Sequence, residues 1–407
     1  MDSRNDLPLS GIRVLDLTHR LAGPTLTMLL GDWGAEIVKL EWWYRMDAWR
    51  GVISIEHDVD GAQLYNKRLN WLKLNRNKRD ITLNLRTEKG KELFFQLVAK
   101  CDVVADNFSA GTMDSMGLGY EQLSRVNSRI VMVSLPGFGN WGPHAGFVGN
   151  GGTIQGYAGL TSLTGYEDGV PRSSVNTWPD PSSGIAGAVA VAMALIWREK
   201  TGKGQFIDLA QSEVVLSLIG EAILDCSANG RVQGPAGNTD QAMAPHGCYP
   251  CKGEDSWVTI AVGTDVEWQA MCRVAGHPEW ARDSRFLDQL LRHQNRRALD
   301  QFVEAWTRTE DRWELARRLQ QAGVAATPVV AQEEFGDELA LPAKGFFQSL
   351  DHPYLTTYPG PAARINGQEL PLRLPPPMLG EHNELLYEAL LGLSKEDLAK
   401  LRDEKVV

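Results

Sequence analysis

The fold class is decided by one stretch near the start of the chain, Gly11-Ile-Arg-Val-Leu-Asp-Leu-Thr-His-Arg-Leu-Ala-Gly-Pro-Thr-Leu-Thr-Met-Leu-Leu-Gly-Asp-Trp-Gly-Ala-Glu-Ile-Val-Lys-Leu-Glu41. Its apolar pattern predicts a buried strand over Ile12–Thr18, a helix over Ala22–Trp33 that ends at Gly34, and a second strand over Glu36–Glu41. A strand, a helix and a strand in this order predict two parallel strands joined by a crossover helix.

The same alternation continues along the chain. Further strands are predicted over Arg79–Leu85, Val103–Phe108, Ile130–Pro136 and Gln205–Ala210, and further helices over Glu88–Lys100, Ser182–Lys200 and Glu213–Ala228. We therefore expect an α/β fold with a mostly parallel sheet covered by helices.

Composition indicates which partners the protein has and in which compartment it works. The 407 residues include 41 basic and 51 acidic residues and carry a net charge of −10, which argues against a nucleic-acid partner. Five cysteines are too few for a disulfide framework at this length. The start of the chain lacks an apolar signal core, and the longest apolar run, Gly184–Trp197, is too short to span a bilayer. We expect a cytoplasmic protein with no membrane partner.

A change in composition predicts the domain organisation. The segment Asn229–Pro245 is rich in Gly, Pro, Asn and Gln, which is typical of a linker. It predicts a large domain beginning with residues 1–228, a smaller middle domain with linkers at 229–325, and a return to the large domain at 326–407. The strand expected at Ala326–Val330 would rejoin the first sheet.

One carboxylate stands out by its position. Asp180 lies in Trp178-Pro-Asp-Pro-Ser-Ser183, at the mouth of the strongest apolar helix. Pro181 suits a first helical position, so the plain interpretation makes Asp180 a helix N-cap. The functional interpretation makes it a nucleophile fixed in a rigid turn. Nearby backbone amides, for which Gly137 and Gly139 of the glycine-rich loop are candidates, would then stabilise an oxyanion.

Two other motifs are weaker. Residues Gly137–Gly142 fit the pattern GxGxxG, but Pro143 follows, so no helix begins where a dinucleotide site needs one. Cys248-Tyr-Pro-Cys251 has no second pair, so no metal site is predicted.

Several further stretches are specific in sequence. They are Leu74-Asn-Arg-Asn-Lys-Arg-Asp-Ile-Thr-Leu83, Cys101-Asp-Val-Val-Ala-Asp-Asn-Phe108, Met116-Gly-Leu-Gly-Tyr120, Ser134-Leu-Pro-Gly-Phe-Gly139 and Thr201-Gly-Lys-Gly-Gln-Phe-Ile-Asp208. With the opening stretch, and in this order, they resemble the family III CoA-transferases, typified by formyl-CoA:oxalate and carnitine CoA-transferases. The resemblance covers most of residues 10–225.

The resemblance implies a fold, an assembly and a nucleophile. It implies a Rossmann-like large domain formed by both chain ends, a smaller middle domain, and an interlocked dimer of identical or paralogous chains. It also implies that Asp180 is the nucleophile, and that coenzyme A enters as an acyl-CoA substrate.

A CoA site is implied in the same way. Its residues are His19, Arg20, Leu21, Leu74, Asn75, Arg76, Arg79, Asn107 and Phe108. Arginine suits this role because its guanidinium binds phosphate oxygens in pairs.

The implied reaction moves CoA from an acyl-CoA, such as succinyl-CoA, to a carboxylic acid through an aspartyl anhydride and an aspartyl–CoA thioester. Four tryptophans, Trp42, Trp43, Trp49 and Trp71, would line an apolar pocket and favour a bulky acceptor of the benzylsuccinate type. Two alternatives remain: an acyl-CoA isomerase or racemase, disfavoured because no His stands at Asn150, and a non-catalytic partner subunit.

Overall fold

The computed structural model describes residues 7–51, 54–57, 63–174, 177–335 and 344–407. These residues form two compact units. The first comprises described residues within Met1–Thr161, Ser173–Val232 and Leu341–Val407, and the second those within Ser162–Arg172 and Gln233–Ala340.

The first unit is built on a six-stranded sheet. Its strands are β1 (Arg13–Asp16), β2 (Glu36–Glu41), β3 (Lys78–Thr82), β4 (Val103–Asp106), β5 (Val131–Ser134) and β6 (Gln205–Asp208). The spatial order is β3-β2-β1-β4-β5-β6, and every neighbouring pair is parallel. The predicted parallel α/β sheet is confirmed. The order reverses between β1 and β4, and ligands of such sheets bind outside the carboxyl ends of the strands at this point.

Helices lie between these strands along the chain, and two more follow β6. They are α1 (Ala22–Asp32), α2 (Leu69–Leu74), α3 (Glu88–Val98), α4 (Thr112–Ser115), α5 (Tyr120–Val126), α6 (Gly151–Tyr157), α7 (Leu160–Leu163), α8 (Pro179–Thr201), α9 (Gln211–Leu218) and α10 (Gly220–Asn229).

The second unit has a sheet of its own. Its strands are β7 (His246–Pro250), β8 (Trp257–Ala261) and β9 (Ala325–Pro328), and its helices are α11 (Asp265–Ala275), α12 (Gln289–Gln294), α13 (Arg296–Thr307) and α14 (Arg312–Gln321). The strand β9 pairs antiparallel with β8, so the prediction that Ala326–Val330 rejoins the first sheet is wrong. Val324 and Ala326 are buried in this unit's own core, next to Leu319 of the preceding helix, and that short-range packing determines the pairing.

The chain ends with β10 (Phe347–Ser349), β11 (Thr357–Pro359), β12 (Arg364–Ile365), β13 (Gln368–Glu369), α15 (Asn383–Leu391) and α16 (Lys395–Asp403). These last two helices pack on the large sheet, because Tyr387 and Leu401 share a buried core with Leu15 and Phe94. The chain's two ends therefore build one unit.

Strand residues alternate between two cores on the two faces of the large sheet. Leu15 joins the core that contains α3, α15 and α16, whereas its neighbour Val14 joins a second core with Leu26 of α1 and Val191 of α8. This period of two is what a sheet covered on both faces requires. The pairing of α1 with α8 on one face matters for the site described below.

One described helix, α8, is long and apolar enough in composition to cross a membrane, a test that core helices of soluble proteins also pass.

Candidate active site

Two neighbouring strands end in the same local arrangement. Asp16, the last residue of β1, accepts a hydrogen bond at Oδ1 from the backbone N–H of Thr18 at 2.8 Å. Asp106, the last residue of β4, accepts one at Oδ1 from the N–H of Phe108 at 3.1 Å. Each carboxylate thus fixes the turn that follows its strand, and both turns lie at the point where the strand order reverses.

Asn107 joins these two turns. Its side-chain oxygen accepts from the His19 N–H at 2.7 Å, and its side-chain nitrogen donates to the His19 carbonyl at 2.8 Å. The rings of His19 and Phe108 lie 5.6 Å apart, and burial lowers the pKa of His19, so its ring is neutral at pH 7. The structure therefore brings together the predicted residues His19, Arg20, Leu21, Asn107 and Phe108.

Three buried charged side chains lie next to the turn that follows β1. Lys39 donates to the carbonyl of Thr18 and lies 3.7 Å from Asp16 and 3.9 Å from Asp47, all three charged side chains being fully buried. Burial alone would raise the pKa of Asp16, but Lys39 and Lys78 lower it below its usual range. These ions are therefore paired, as buried charges must be.

The backbone of Arg20 is held in an unusual conformation. Its φ is +63°, in the left-handed region, and its N–H donates to both carboxylate oxygens of Asp47 at 2.9 and 3.0 Å. Asp47 thus connects the buried charges to the exposed turn. No feature of the sequence indicated that Asp47 belongs to this site, because 27 residues separate it from Arg20.

Asp180 lies in the first turn of α8. The helix begins at Pro179, Trp178 occupies the N-cap position, and both Pro179 and Pro181 fall where the missing N–H would have no helical partner. The interpretation of Asp180 as the N-cap is therefore wrong, since the helix begins one turn earlier than Ser182. A carboxylate in the first turn is favoured by the helix dipole.

Small residues position this end of α8 against α1. A Cβ on Gly184 would lie only 2.7 Å from the Ala22 carbonyl oxygen, so only glycine permits this approach. The approach brings Asp180 towards the turn that precedes α1, where the charge of Arg20 acts on it.

Asp180 also meets the start of a second helix. A Cβ on Gly151, the first residue of α6, would overlap the Asp180 Oδ2 atom. Asn150 caps this helix in a capping box with Thr153. The glycine thus lets backbone lie against the carboxylate. The sequence feature that could have revealed this helix start is Asn-Gly-Gly-Thr, in which the first residue caps the helix and the fourth bonds back to it.

Burial is the main influence on the acidity of this carboxylate. It raises the pKa of Asp180, while the Thr177 hydroxyl, which donates to it, and the Arg20 charge oppose that rise. A less solvated carboxylate beside backbone amides is suited to nucleophilic attack.

For the two glycines predicted to supply an oxyanion site, the nearest atoms belong to residues other than Asp180. The atoms nearest to a Cβ on Gly137 belong to Ile154, and those nearest to a Cβ on Gly139, whose φ is +82°, belong to Ala210, Trp141 and Asp208. Their catalytic role stays a prediction.

The remaining predicted CoA residues form a separate group around α2 and β3. Leu74 and Asn75 are buried, and Asn75 Oδ1 has no partner among the described residues, so it could accept a hydrogen bond from a ligand. Arg76 is 5% exposed and donates to both oxygens of Asp32, at 3.1 and 2.6 Å. Arg79 pairs with Glu36 at 2.8 Å. These ion pairs argue against the predicted phosphate contacts.

Trp71 does not line an open pocket, contrary to the prediction for the four tryptophans. It is fully buried beneath the Arg50 guanidinium, which lies 3.4 Å from the ring centroid.

Arg76→Ala is expected to destabilise the fold by about 3 kcal/mol, because it removes the cation paired with the buried Asp32 carboxylate and leaves that carboxylate the Asn77 amide as a donor. Urea unfolding measures this. Arg79→Ala is the matched control, since its pair is about a third exposed and is worth less than about 1 kcal/mol. An Arg76→Ala protein of normal stability with a raised KM for acyl-CoA would instead restore the phosphate role.

Comparison with known proteins identifies the family. The model of CoA-transferase family III matches residues 9–383. The chain belongs to this family. It is 32% identical to a formyl-CoA:oxalate CoA-transferase of Streptomyces coelicolor, with 98% of this chain and 99% of that protein covered. It is 31% identical to a succinyl-CoA–L-malate CoA-transferase beta subunit of Chloroflexus aurantiacus, with 98% of each covered.

Solved structures agree with the family assignment. A CaiB/BaiF family protein from Brucella suis matches with a TM-score of 0.83 and 32% identity, over 94% of this chain and 99% of that one. As a member of family III the chain is a CoA-transferase, with acyl-CoA and carboxylic acid substrates. The resemblance read from the sequence is confirmed.

Proposed function

We propose that this chain transfers coenzyme A from an acyl-CoA donor to a carboxylic acid with Asp180 as the covalent nucleophile. One observation supports this above all: the Asp180 carboxylate, in the first turn of α8, lies against the backbone of Gly151 at the start of α6.

The first half of the reaction loads the enzyme. The ionised Asp180 attacks the thioester carbonyl of the donor, and CoA leaves as a thiolate, which gives a mixed anhydride. The thiolate then attacks the aspartyl carbonyl of that anhydride. The donor acid leaves as a carboxylate, and Asp180 remains as a thioester with CoA.

The second half repeats these steps with the acceptor. The acceptor carboxylate attacks the aspartyl thioester and releases the CoA thiolate. The thiolate attacks the acceptor's acyl carbon in the new anhydride, which forms the product acyl-CoA and frees Asp180. Protons balance without an external acid or base, because carboxylates and thiolates serve as both nucleophiles and leaving groups.

Backbone amides would stabilise the oxyanion of each tetrahedral step. In the first turn of α6 the side chain of Asn150 accepts from the Thr153 N–H, which leaves the N–H groups of Gly151 and Gly152 for this role. Gly137 and Gly139 stay candidates for the same role.

The turn that contains His19 and the segment that contains Asn107 would hold the CoA. The name of the Chloroflexus relative supports succinyl-CoA as the donor. The acceptor in this proposal is an acid of the benzylsuccinate type. Of the two rival functions, racemisation needs an acid–base group at residue 150, where Asn150 instead caps α6. A purely structural subunit would have no use for a carboxylate placed as Asp180 is.

The test of this function uses the purified chain, an acyl-CoA and an isotopically labelled free acid of the same acyl group. We expect the label to enter the acyl-CoA without net consumption of either compound. Acyl-CoA hydrolysis without exchange would contradict the proposal.

The pH dependence of this reaction follows from burial of the nucleophile. Asp180 attacks only when ionised, and its pKa is raised above the ordinary 3.8 by burial. Activity is therefore present above this raised pKa and is lost as pH falls through it. We expect the acid limb of kcat/KM to have an apparent pKa above 3.8. A limb at or below that value, with circular dichroism showing a folded protein throughout, would contradict this.

We also propose the interlocked dimer, with an identical or a paralogous chain. An apolar stripe on α8 supports it, in which Ile185, Met193 and Trp197 are 54%, 66% and 52% exposed. Exposed apolar surface of this extent on one helix marks an interaction site.

Light scattering should give at least twice the chain mass of 45.0 kDa from nanomolar to micromolar concentration. Met193→Glu should weaken the assembly, whereas Leu385→Glu, which changes an exposed apolar residue of α15, should not. An active particle of single-chain mass across this range would contradict the dimer.

A further inference from the structure

We infer that a cavity between the ends of β4 and β5 and the start of α5 binds a small organic cation, a primary ammonium group on a short apolar chain. The cavity has a volume of about 230 Å³, and the residues that line it belong to the first unit. Among these described residues none is one expected to hold CoA. The site is therefore separate from the one around Asp180, and it does not depend on the proposed function.

The buried end of the cavity has a carboxylate oxygen without a donor. Asp106 lines the cavity and is 1% exposed. Its Oδ1 accepts from the Phe108 N–H and from the Ser134 hydroxyl, each at 3.1 Å, whereas its Oδ2 has no hydrogen-bond partner among the described residues. Buried polar atoms are normally hydrogen-bonded, because one left without a partner has lost its water for nothing. An N–H group of a ligand would supply the missing donor.

The charge around the cavity selects a cation. Asp114 and Glu121 also line it, and no lysine, arginine or histidine does so among the described residues. Glu121 pairs with Arg125, whereas within the described part of the chain no cation lies within 4.0 Å of the carboxylates of Asp106 and Asp114. An ammonium group would therefore meet unpaired negative charge, and an anion would be repelled by it.

The rest of the lining suits a short apolar chain. The side chains of Met113 and Met132 are buried in the cavity wall. The rings of Tyr120 and Phe206, which also line it, lie 5.7 Å apart, and aromatic rings attract organic cations. A bare metal ion fits less well, because no group of three or more metal-binding side chains occurs among the described residues.

The volume is also too large for a single small ion or water. A water molecule needs only about 10–15 Å³ by the same kind of measure, so the cavity holds a ligand of several non-hydrogen atoms. An alkylammonium ion of four carbons combines the required charge, N–H donors and apolar chain.

The experiment compares two ligands of the same chain length, butylammonium and uncharged 1-butanol. Saturation-transfer NMR titrations of the full-length protein at about pH 8.5 give the Kd of each. We expect butylammonium to bind saturably and at least about 10-fold more tightly than 1-butanol. Asp106→Asn should weaken butylammonium by at least about 10-fold and 1-butanol by less than about 3-fold, because the amide keeps an oxygen for the Phe108 N–H but has no charge.

The affinity should also follow the ionisation of Asp106. Burial raises the pKa of Asp106 to about 7, and only its ionised form pairs with ammonium. Binding is therefore complete above this pKa and is lost as pH falls through it, so the Kd at about pH 5.5 should be about 30-fold weaker than at about pH 8.5. The other titratable groups around Asp106 are those of Asp114 on α4, Tyr120 and Glu121 on α5, and Asp208 on β6. Asp106→Asn should remove the pH dependence, which assigns it to Asp106.

Two further variants complete the test. Asp403→Asn, the same change at an exposed residue at the end of α16, should leave the Kd of butylammonium unchanged. Phe206→Ala removes an exposed ring of β6 and keeps the proposal testable if Asp106→Asn fails to fold. It should weaken butylammonium by about 3-fold or more.

Three results would overturn the assignment. Equal affinities for butylammonium and 1-butanol would show an apolar cavity without a cation site. Absence of saturable binding to the wild type would show that water or a proton on Asp106 is all that the cavity takes. Unchanged butylammonium binding in Asp106→Asn, or in Phe206→Ala where Asp106→Asn does not fold, would place the cation elsewhere.

Discussion

Asp180→Asn is expected to lower CoA transfer by about 10⁴-fold or more while the protein stays folded, because the amide keeps the shape of the carboxylate but cannot attack a thioester. Asp180 accepts a hydrogen bond from Thr177 and lies against Gly151, and an asparagine oxygen can keep the first of these contacts. The rate of label exchange measures the loss of transfer, and the thermal unfolding midpoint shows whether the protein stays folded.

The control for Asp180→Asn is Asp403→Asn, which makes the same chemical change at an exposed residue at the end of α16. It should leave the rate unchanged. Mass spectrometry of the fresh Asp180→Asn protein must exclude deamidation back to aspartate. Turnover near the wild-type rate in a sample that passes this check would remove Asp180 from the mechanism.

Gly151→Ala is expected to have the second-largest effect, a loss of about 100-fold in the transfer rate in a protein that still folds, with a stability loss of about 1–3 kcal/mol from the crowding. The added Cβ would overlap Asp180 Oδ2 and lie 2.5 Å from the Thr177 Cβ, so the nucleophile must move. The backbone itself accepts alanine, because Gly151 is a helical residue without a positive φ.

The neighbouring glycine provides a matched control. A Cβ on Gly152 would meet only Asn150 Oδ1, at an ordinary 3.5 Å. Gly152→Ala should therefore keep its activity and slightly stabilise α6. If the two variants lose activity equally, the helix and not the contact with Asp180 is responsible.

Local patterns were sufficient for most of the first sheet. The strand Glu36–Glu41 was predicted with its observed bounds, because Ile37, Val38 and Leu40 follow directly after the helix-ending Gly34. That Lys39 is buried within this strand could not be predicted from the pattern. Helix starts were harder to predict. The two prolines around Asp180 fit several helix registers equally well, and packing of Gly184 against Ala22 selects the register.

The site itself depends on contacts that are distant in sequence. Asp47 holds Arg20 from 27 residues away, and Asp32 pairs with Arg76 across 44. The family pattern correctly grouped His19 with Asn107, since both follow strands that end at one edge of the sheet. It did not reveal that Arg76 has a buried partner, because a charge run looks the same whether it is solvated or paired.

The central claim is that CoA becomes covalently attached to Asp180. The direct measurement is mass spectrometry of the protein after brief incubation with acyl-CoA, with hydroxylamine added to a parallel sample. We predict that the peptide containing Asp180 gains the mass of CoA less one water, as a thioester requires, and that an aspartyl hydroxamate replaces this adduct at the same residue in the treated sample. An adduct on any other residue, or continued CoA exchange with no adduct or hydroxamate at Asp180, would contradict the mechanism.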